Sequence, residues 1–285
     1  MSTKRADRRG FLRDAAAGAL LAATPSTGLA GAPPPRGSDR RLDVANPRDV
    51  ALIFRKLAFS LDAAPGYWWL KGRRYALIES RLIPLWDMHV GTAFRAASTA
   101  DPDVYAVTLI SVSFYTDLLT GDFIDTLVNP LTGRRVRVSY FPPRAATVRF
   151  NPAGQMDAGL PQAGLEGDGS VGPAWIEGDQ VWVQGDHILW RDAAPGLPAV
   201  RVNDLTTYAG DLGQVADPGI ASAAASQAFS DLNTWPAWLE MGDKAGSYYS
   251  RAFGRKVASY DRMPARFREL MADRHPELAK TPAWF

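Results

Sequence analysis

The chain has 285 residues, 46% of them hydrophobic, a formal net charge of +2 and no cysteine. That length supports one sizeable domain or two small ones, and the missing cysteines exclude disulfides, thiolate metal centres and a cysteine nucleophile. The first thirty residues hold five bases and two acids, +3 of the total, so the remainder stands at −1 and carries no electrostatic footprint for nucleic acid.

Lys4, Arg5, Arg8, Arg9 and Arg13 precede the apolar stretch 15–23. Its nine residues fall well short of the roughly 20 that a bilayer span needs. Small residues follow, and Gly28-Leu29-Ala30 offers a cleavage point after Ala30. Arg8 and Arg9, with Phe11 and Leu12 close behind, resemble the twin-arginine export motif. Residues 1–30 are therefore expected to be a twin-arginine signal peptide. That reading implies the twin-arginine translocation machinery as a partner, a periplasmic or secreted protein, and no membrane anchor after processing.

Residues 31–45 read as a Pro-rich leader, and 46–285 as a single β-rich domain. Asn46-Pro47-Arg48-Asp49 supplies an N-cap, a proline at the first helical position and an acid in the first turn. Val50, Ile53, Phe54, Leu57 and Leu61 follow at helical spacing, which predicts a helix over 46–61. From 66 to 208 the pattern is antiparallel strand. Residues 67–70, 74–78 and 104–115 are rich in aromatic and β-branched side chains. Leu-Thr-Gly occurs at 119–121 and again at 131–133, each marking a hairpin turn. Strands are expected near 122–128, 134–141 and 145–150, as an up-and-down meander. The Gly/Pro-rich stretch 151–173 reads as a long loop of the kind that serves as a lid. Strands resume at 180–183, 187–190 and 200–208, and Ala-rich composition with Pro218, Pro236 and Pro264 predicts C-terminal helices over 217–285. The fold expected is mainly β with flanking helices, an antiparallel β-barrel or strongly curved sheet. The alternative is a helix–sheet sandwich.

Three stretches resemble the domain of unknown function 1838 family. They are the hairpins Phe114-Tyr115-Thr116-Asp117 and Asn129-Pro130-Leu131-Thr132-Gly133, and the tail Thr234-Trp235-Pro236-Ala237-Trp238-Leu239-Glu240-Met241. Tyr67-Trp68-Trp69 and Pro264-Ala265-Arg266-Phe267 add to the likeness. Many members of that family carry twin-arginine signals, which agrees with the opening. The resemblance implies no shared chemistry and no catalytic residue.

The functional candidates therefore come from the residues alone. Asp87, His89 and His187 contain the donors of a two-histidine, one-carboxylate metal site, but neither helical His spacing nor any local motif ties 89 to 187. No metal or other cofactor is expected. Gly167 to Gly172 matches G-x-G-x-x-G without the strand and helix that a dinucleotide site requires. Glu166, Asp168 and Glu177 do not have calcium-loop spacing.

Aromatic residues carry the clearest signal. Trp68, Trp69, Trp86, Trp182, Trp190, Trp235 and Trp238 make either a core or the lining of a pocket for an apolar, aromatic or terpenoid-like molecule. A binding protein for such a molecule is the first reading. A cofactor-independent lyase, isomerase or cyclase is the second, with His89 oriented by Asp87 and with Tyr67 or Tyr208 as the acid. A structural envelope protein is the third.

Overall fold

The computed structural model describes residues 41–281, except 102–103, 141, 144, 158–163 and 196. Arg8, Arg9, Phe11 and Leu12 lie outside the described residues.

Helix α1 (Pro47–Ala58) starts as its sequence dictates: the Asn46 side chain accepts a hydrogen bond from the Arg48 amide at 3.0 Å, with Pro47 next. Ten antiparallel strands then close a barrel. Four run early in the chain: β1 (Gly66–Ile78), β2 (Arg81–Ser98), β3 (Tyr105–Thr116) and, after a hairpin, β6 (Ala146–Phe150). The others are β7 (Gln155–Asp157), β8 (Glu166–Glu177), β9 (Gln180–Arg191), β10 (Val200–Asp211), β11 (Ala225–Asn233) and β12 (Ser247–Val257). Their order around the wall is β1-β12-β11-β10-β9-β8-β7-β6-β3-β2, with β2 back on β1. The barrel thus bears out the mainly β, antiparallel expectation over the helix–sheet sandwich.

Three local expectations are corrected. The strands β4 (Thr126–Val128) and β5 (Arg135–Arg137) pair with each other as a separate two-stranded sheet, so the meander skips them and β3 pairs directly with β6. Within 151–173, β7 and β8 are barrel wall rather than a lid. Glycine reads as loop, yet a Cβ at Gly169 would sit 2.8 Å from Met156 Cε, so close packing accounts for that glycine. Between 217 and 257 the expected helices are replaced by β11 and β12. Alanine propensity is outweighed there by the need to complete the ring. Helices occur at α2 (Leu212–Ala216), α3 (Ala265–Arg274) and α4 (Pro276–Ala279).

Ten strands enclose more space than their own side chains fill, and α1 occupies one end of it. Phe54 lies against Phe150 and Tyr208, with ring centroids 5.6 and 5.5 Å away. The Trp68 indole donates to the Ala58 carbonyl at 2.7 Å. At α1's C-terminus the Lys256 ammonium donates to the carbonyls of Lys56 and Phe59 at 2.7 and 2.9 Å, where a cation is favoured. The other end is capped by a second apolar cluster that joins Trp86, Tyr248, Leu239 and Met241 to Ile124 and Val138. Asn129 clasps that cap, donating to the Leu239 carbonyl at 2.7 Å. Helix α3 packs outside, on Tyr67, Phe114 and Val112.

Candidate functional site

Side chains alternate in and out along a strand, and contacts with α1 fix the phase. Phe54 touches Gly185 and Leu57 touches Gly210, so odd positions of β9 and even positions of β10 face inward. Carried through the pairing register, one transverse row of inward side chains crosses six strands. It runs Trp86 (β2), Arg74 (β1), Ser250 (β12), Asp231 (β11), Asp204 (β10) and His187 (β9). Four of these six bear or can take a charge, an expensive arrangement inside a barrel.

The row forms two adjoining pairs. Arg74 donates to Asp231 Oδ2 at 2.5 Å and to Ser250 Oγ at 2.6 Å. His187 Nδ1 stands 3.4 Å from Asp204 Oδ2. Burial works against the Arg74 charge, but Tyr115, Tyr248 and Asp231 more than offset it and raise its pKa. Burial pushes the Asp204 carboxyl up, with His187 opposing and Asp231 adding to the rise. Two facing carboxylates in unlike surroundings are the arrangement that separates an acid from a base.

Aromatic rings close the row from both sides. Toward the cap, Trp86 lies 5.6 Å from Trp238, 5.6 Å from Tyr115 and 5.9 Å from Tyr248, and the Arg74 guanidinium stands 4.8 Å from the Tyr248 ring. Toward α1, Tyr208 contacts Trp68 at 5.3 Å, and burial raises the Tyr208 hydroxyl pKa. Asp204 and His187 keep 27% and 25% of their side-chain surface accessible although both point inward. Among the buried polar atoms of this region without a hydrogen-bond partner are Asp231 Oδ1, Asn233 Oδ1, Arg74 Nε and Trp86 Nε1. Beyond Leu109, β3 runs past the end of β6, and the inward Thr92 and Ser111 bond each other there at 2.8 Å with accessible surface.

The residues expected to be catalytic do not assemble. His89 faces outward beneath α3, and Asp87 accepts from Arg73 at 2.7 Å instead of orienting it. His89 Nε2 lies 3.5 Å from the Lys71 ammonium, and its Nδ1 has no partner. Burial, then Lys71 and Arg266, lower the His89 pKa to about 4, so the ring is neutral at neutral pH. Tyr67 is outward in the α3 cluster and Tyr208 inward, with the wall between them. The same division separates His89 from His187, so the metal triad considered from sequence has no common centre. No metal-binding group occurs among the described residues.

The tryptophans divide likewise. Trp86, Trp235 and Trp238 meet at the capped end, and Trp68 joins Tyr208 near α1. Trp69, Trp182 and Trp190 face outward, Trp182 opposite Trp175 and Trp190 opposite Arg201. Sequence reasoning missed Arg74, Asp204, Asp231 and Ser250, and weighed His187 only as a metal ligand. The available signal was phase: Arg74 shares the parity of Trp68 and Leu70, and Asp231 that of Phe229.

Residues 198–285 match the family model described as "Protein of unknown function (DUF1838)". That segment carries Asp204, Asp231 and Ser250, while Arg74 and His187 precede it. Among curated proteins none matches the chain. Among solved structures, similarity is found to a candidate exported protein with a YmcC-like fold from Bacteroides fragilis. It is 7% identical, with 68% of this chain and 97% of that chain covered and a TM-score of 0.21. No helix among the described residues is long and apolar enough to cross a membrane.

Proposed function

We propose that the barrel binds a small organic molecule in its interior, an aromatic or terpenoid-like body seated between the rings and a polar group on the charged row. The observation that carries this reading is the set of buried, unpartnered polar atoms on Asp231, Asn233, Arg74 and Trp86 beside accessible Asp204 and His187. Leaving such groups unpaired costs about 1–3 kcal/mol each, a cost that a ligand of complementary polarity removes. The exposed edge of β3 near Thr92 and Ser111 offers it a way in. Native mass spectrometry of the purified protein tests the proposal. A retained organic molecule, lost when Asp231→Leu and Arg74→Met are combined, supports it; an apo mass with no uptake from a terpenoid and aromatic panel rejects it.

The same geometry favours a second reading, a cofactor-independent lyase, isomerase or cyclase in which Asp204 and His187 exchange a proton with the bound molecule. Asp204's raised pKa, from burial, is the specific support. Turnover abolished by Asp204→Asn with binding retained distinguishes it from pure carriage.

The protein's route is the twin-arginine pathway, on the strength of Arg8-Arg9-Gly10-Phe11-Leu12. Replacing Arg8 and Arg9 with lysine should leave the precursor in the cytoplasm, and undiminished export would refute the assignment.

A further inference from the structure

Resting on the interior-binding reading, the charge of the row narrows the ligand class. Two carboxylates, Asp204 and Asp231, face one guanidinium and one imidazole. With both carboxylates ionised and the imidazole neutral, the row carries one negative charge more than it can pair. A buried uncompensated charge is strongly unfavourable, and burial, which pushes the Asp204 carboxyl up, favours a compensating proton there. A cationic ligand would replace it.

The unpartnered atoms are arranged for such a ligand. Asp231 is 3% exposed, its Oδ2 is taken by Arg74 and its Oδ1 is bare. Asn233, inward on the same strand and two residues on, presents a second bare acceptor. An ammonium has three donors and no acceptor, which suits Asp231, Asn233 and the accessible Asp204. On the other side of the row, Arg74 Nε and Trp86 Nε1 are bare donors and call for an oxygen. The rings of Tyr115 and Tyr248, 6.0 and 4.8 Å from the Arg74 guanidinium, hold that cation in place at this end of the row.

We propose that the row binds the ammonium group of a small aromatic amine bearing a neighbouring hydroxyl or carbonyl oxygen, and that binding expels one proton. Charge balances: one cation enters and one proton leaves. The groups facing Asp204, where proton and ammonium compete, are His187 from β9, Asp231 from β11, Arg74 from β1 and Tyr208 on its own strand.

Two probes differ only at the group in question: 2-amino-1-phenylethanol, and 1-phenyl-1,2-ethanediol, where hydroxyl replaces ammonium. Calorimetric titration of the whole protein in two buffers of unlike ionisation enthalpy gives affinity and proton count together. The amine should bind about tenfold tighter than the diol, as charge-assisted hydrogen bonds outlast neutral ones, and release close to one proton. Asp204→Asn should lower amine affinity about tenfold and diol affinity by clearly less, residual diol binding also reporting that the variant is folded. Diol binding as tight as amine binding, or amine binding without proton release, overturns the ammonium proposal and leaves interior binding standing. Failure of both probes to bind overturns the two together.

Discussion

Asp204 and Asp231 stand directly opposite each other on β10 and β11, both turned into the barrel, yet Arg74 bonds to Asp231 while His187 takes Asp204. The facing carboxylates of one layer are thereby made unlike. One is locked to a guanidinium; the other keeps 27% of its side-chain surface accessible and faces an imidazole.

The pH dependence of stability should show this difference. Burial raises the folded-state pKa of Asp204 above its ordinary value of 3.8, so the folded chain holds that proton more tightly than the unfolded chain. The resulting stabilisation is complete below the ordinary carboxylate value and is lost as pH rises through the folded value. Asparagine imitates the protonated form. Urea midpoints of Asp204→Asn should therefore decline less than wild type from pH 4 to pH 8, and the variant should be at least as stable at the upper end. A steeper decline would rule out the assignment of the raised pKa to this side chain.

Arg74 is the reciprocal case. Removing it strands Asp231, a carboxylate 3% exposed. Loss of one partner of a buried pair costs about 3–5 kcal/mol, whereas replacing both partners with apolar groups is often neutral. Arg74→Met should fall in that range by urea denaturation, and Arg74→Met with Asp231→Leu should recover most of the loss. A double variant as unstable as the sum of the singles would mean the two are not coupled.

The outline of the barrel was legible because strand signals are local: alternation, β-branched runs and turn glycines lie in one stretch of chain. Gly121 and Gly133, with φ of +73° and +71°, sit at the turns that Leu-Thr-Gly predicted. Two errors share one cause. β11, which begins at the end of the Ala-rich run 221–225, and Gly-rich β8 carry the local signals of helix and loop, and become strands because the ring needs them for closure. The site was less legible for a related reason. Arg74, Ser250, Asp231, Asp204 and His187 are far apart in sequence and meet only through the register of five strands, which no local pattern encodes. His89 misled because Asp-x-His does place two side chains on one face, as expected, but the face is the outer one.

His89 gives a second pH signature, opposite in sign. Its pKa is lowered to about 4, first by burial and then by Lys71 and Arg266. The unfolded chain binds the proton more tightly here, so the contribution of this histidine is present above the ordinary value of 6.5 and is lost as pH falls toward 4. His89→Leu removes the titrating group and a buried Nδ1 that lacks a partner. The variant should match or exceed wild-type stability at pH 7 and surpass it by a widening margin between pH 6 and pH 4. Activity or ligand binding should be unaffected, since the residue lies outside the wall. Thermal melts at stepped pH settle the first point, and a binding loss would return His89 to the site.

The fit of α1 inside the barrel is testable at Gly185, the inward residue of β9 over which Phe54 lies. A Cβ built there would meet Phe54 Cε2 at 2.7 Å, closer than real contacts allow. Phe54 itself is 3% exposed and hemmed in by Phe59, Phe150 and Tyr208, so it has little room to retreat. Overpacking a filled interior costs about 1–3 kcal/mol, and Gly185→Ala should lose that much by urea denaturation. Phe54→Leu should relieve the clash while opening a smaller defect of its own, so the double variant should lie above the sum of the two singles. Simple additivity would show that α1 is seated loosely enough to move aside. In that case its end of the barrel, rather than the edge of β3, would be the better candidate for the ligand's entrance.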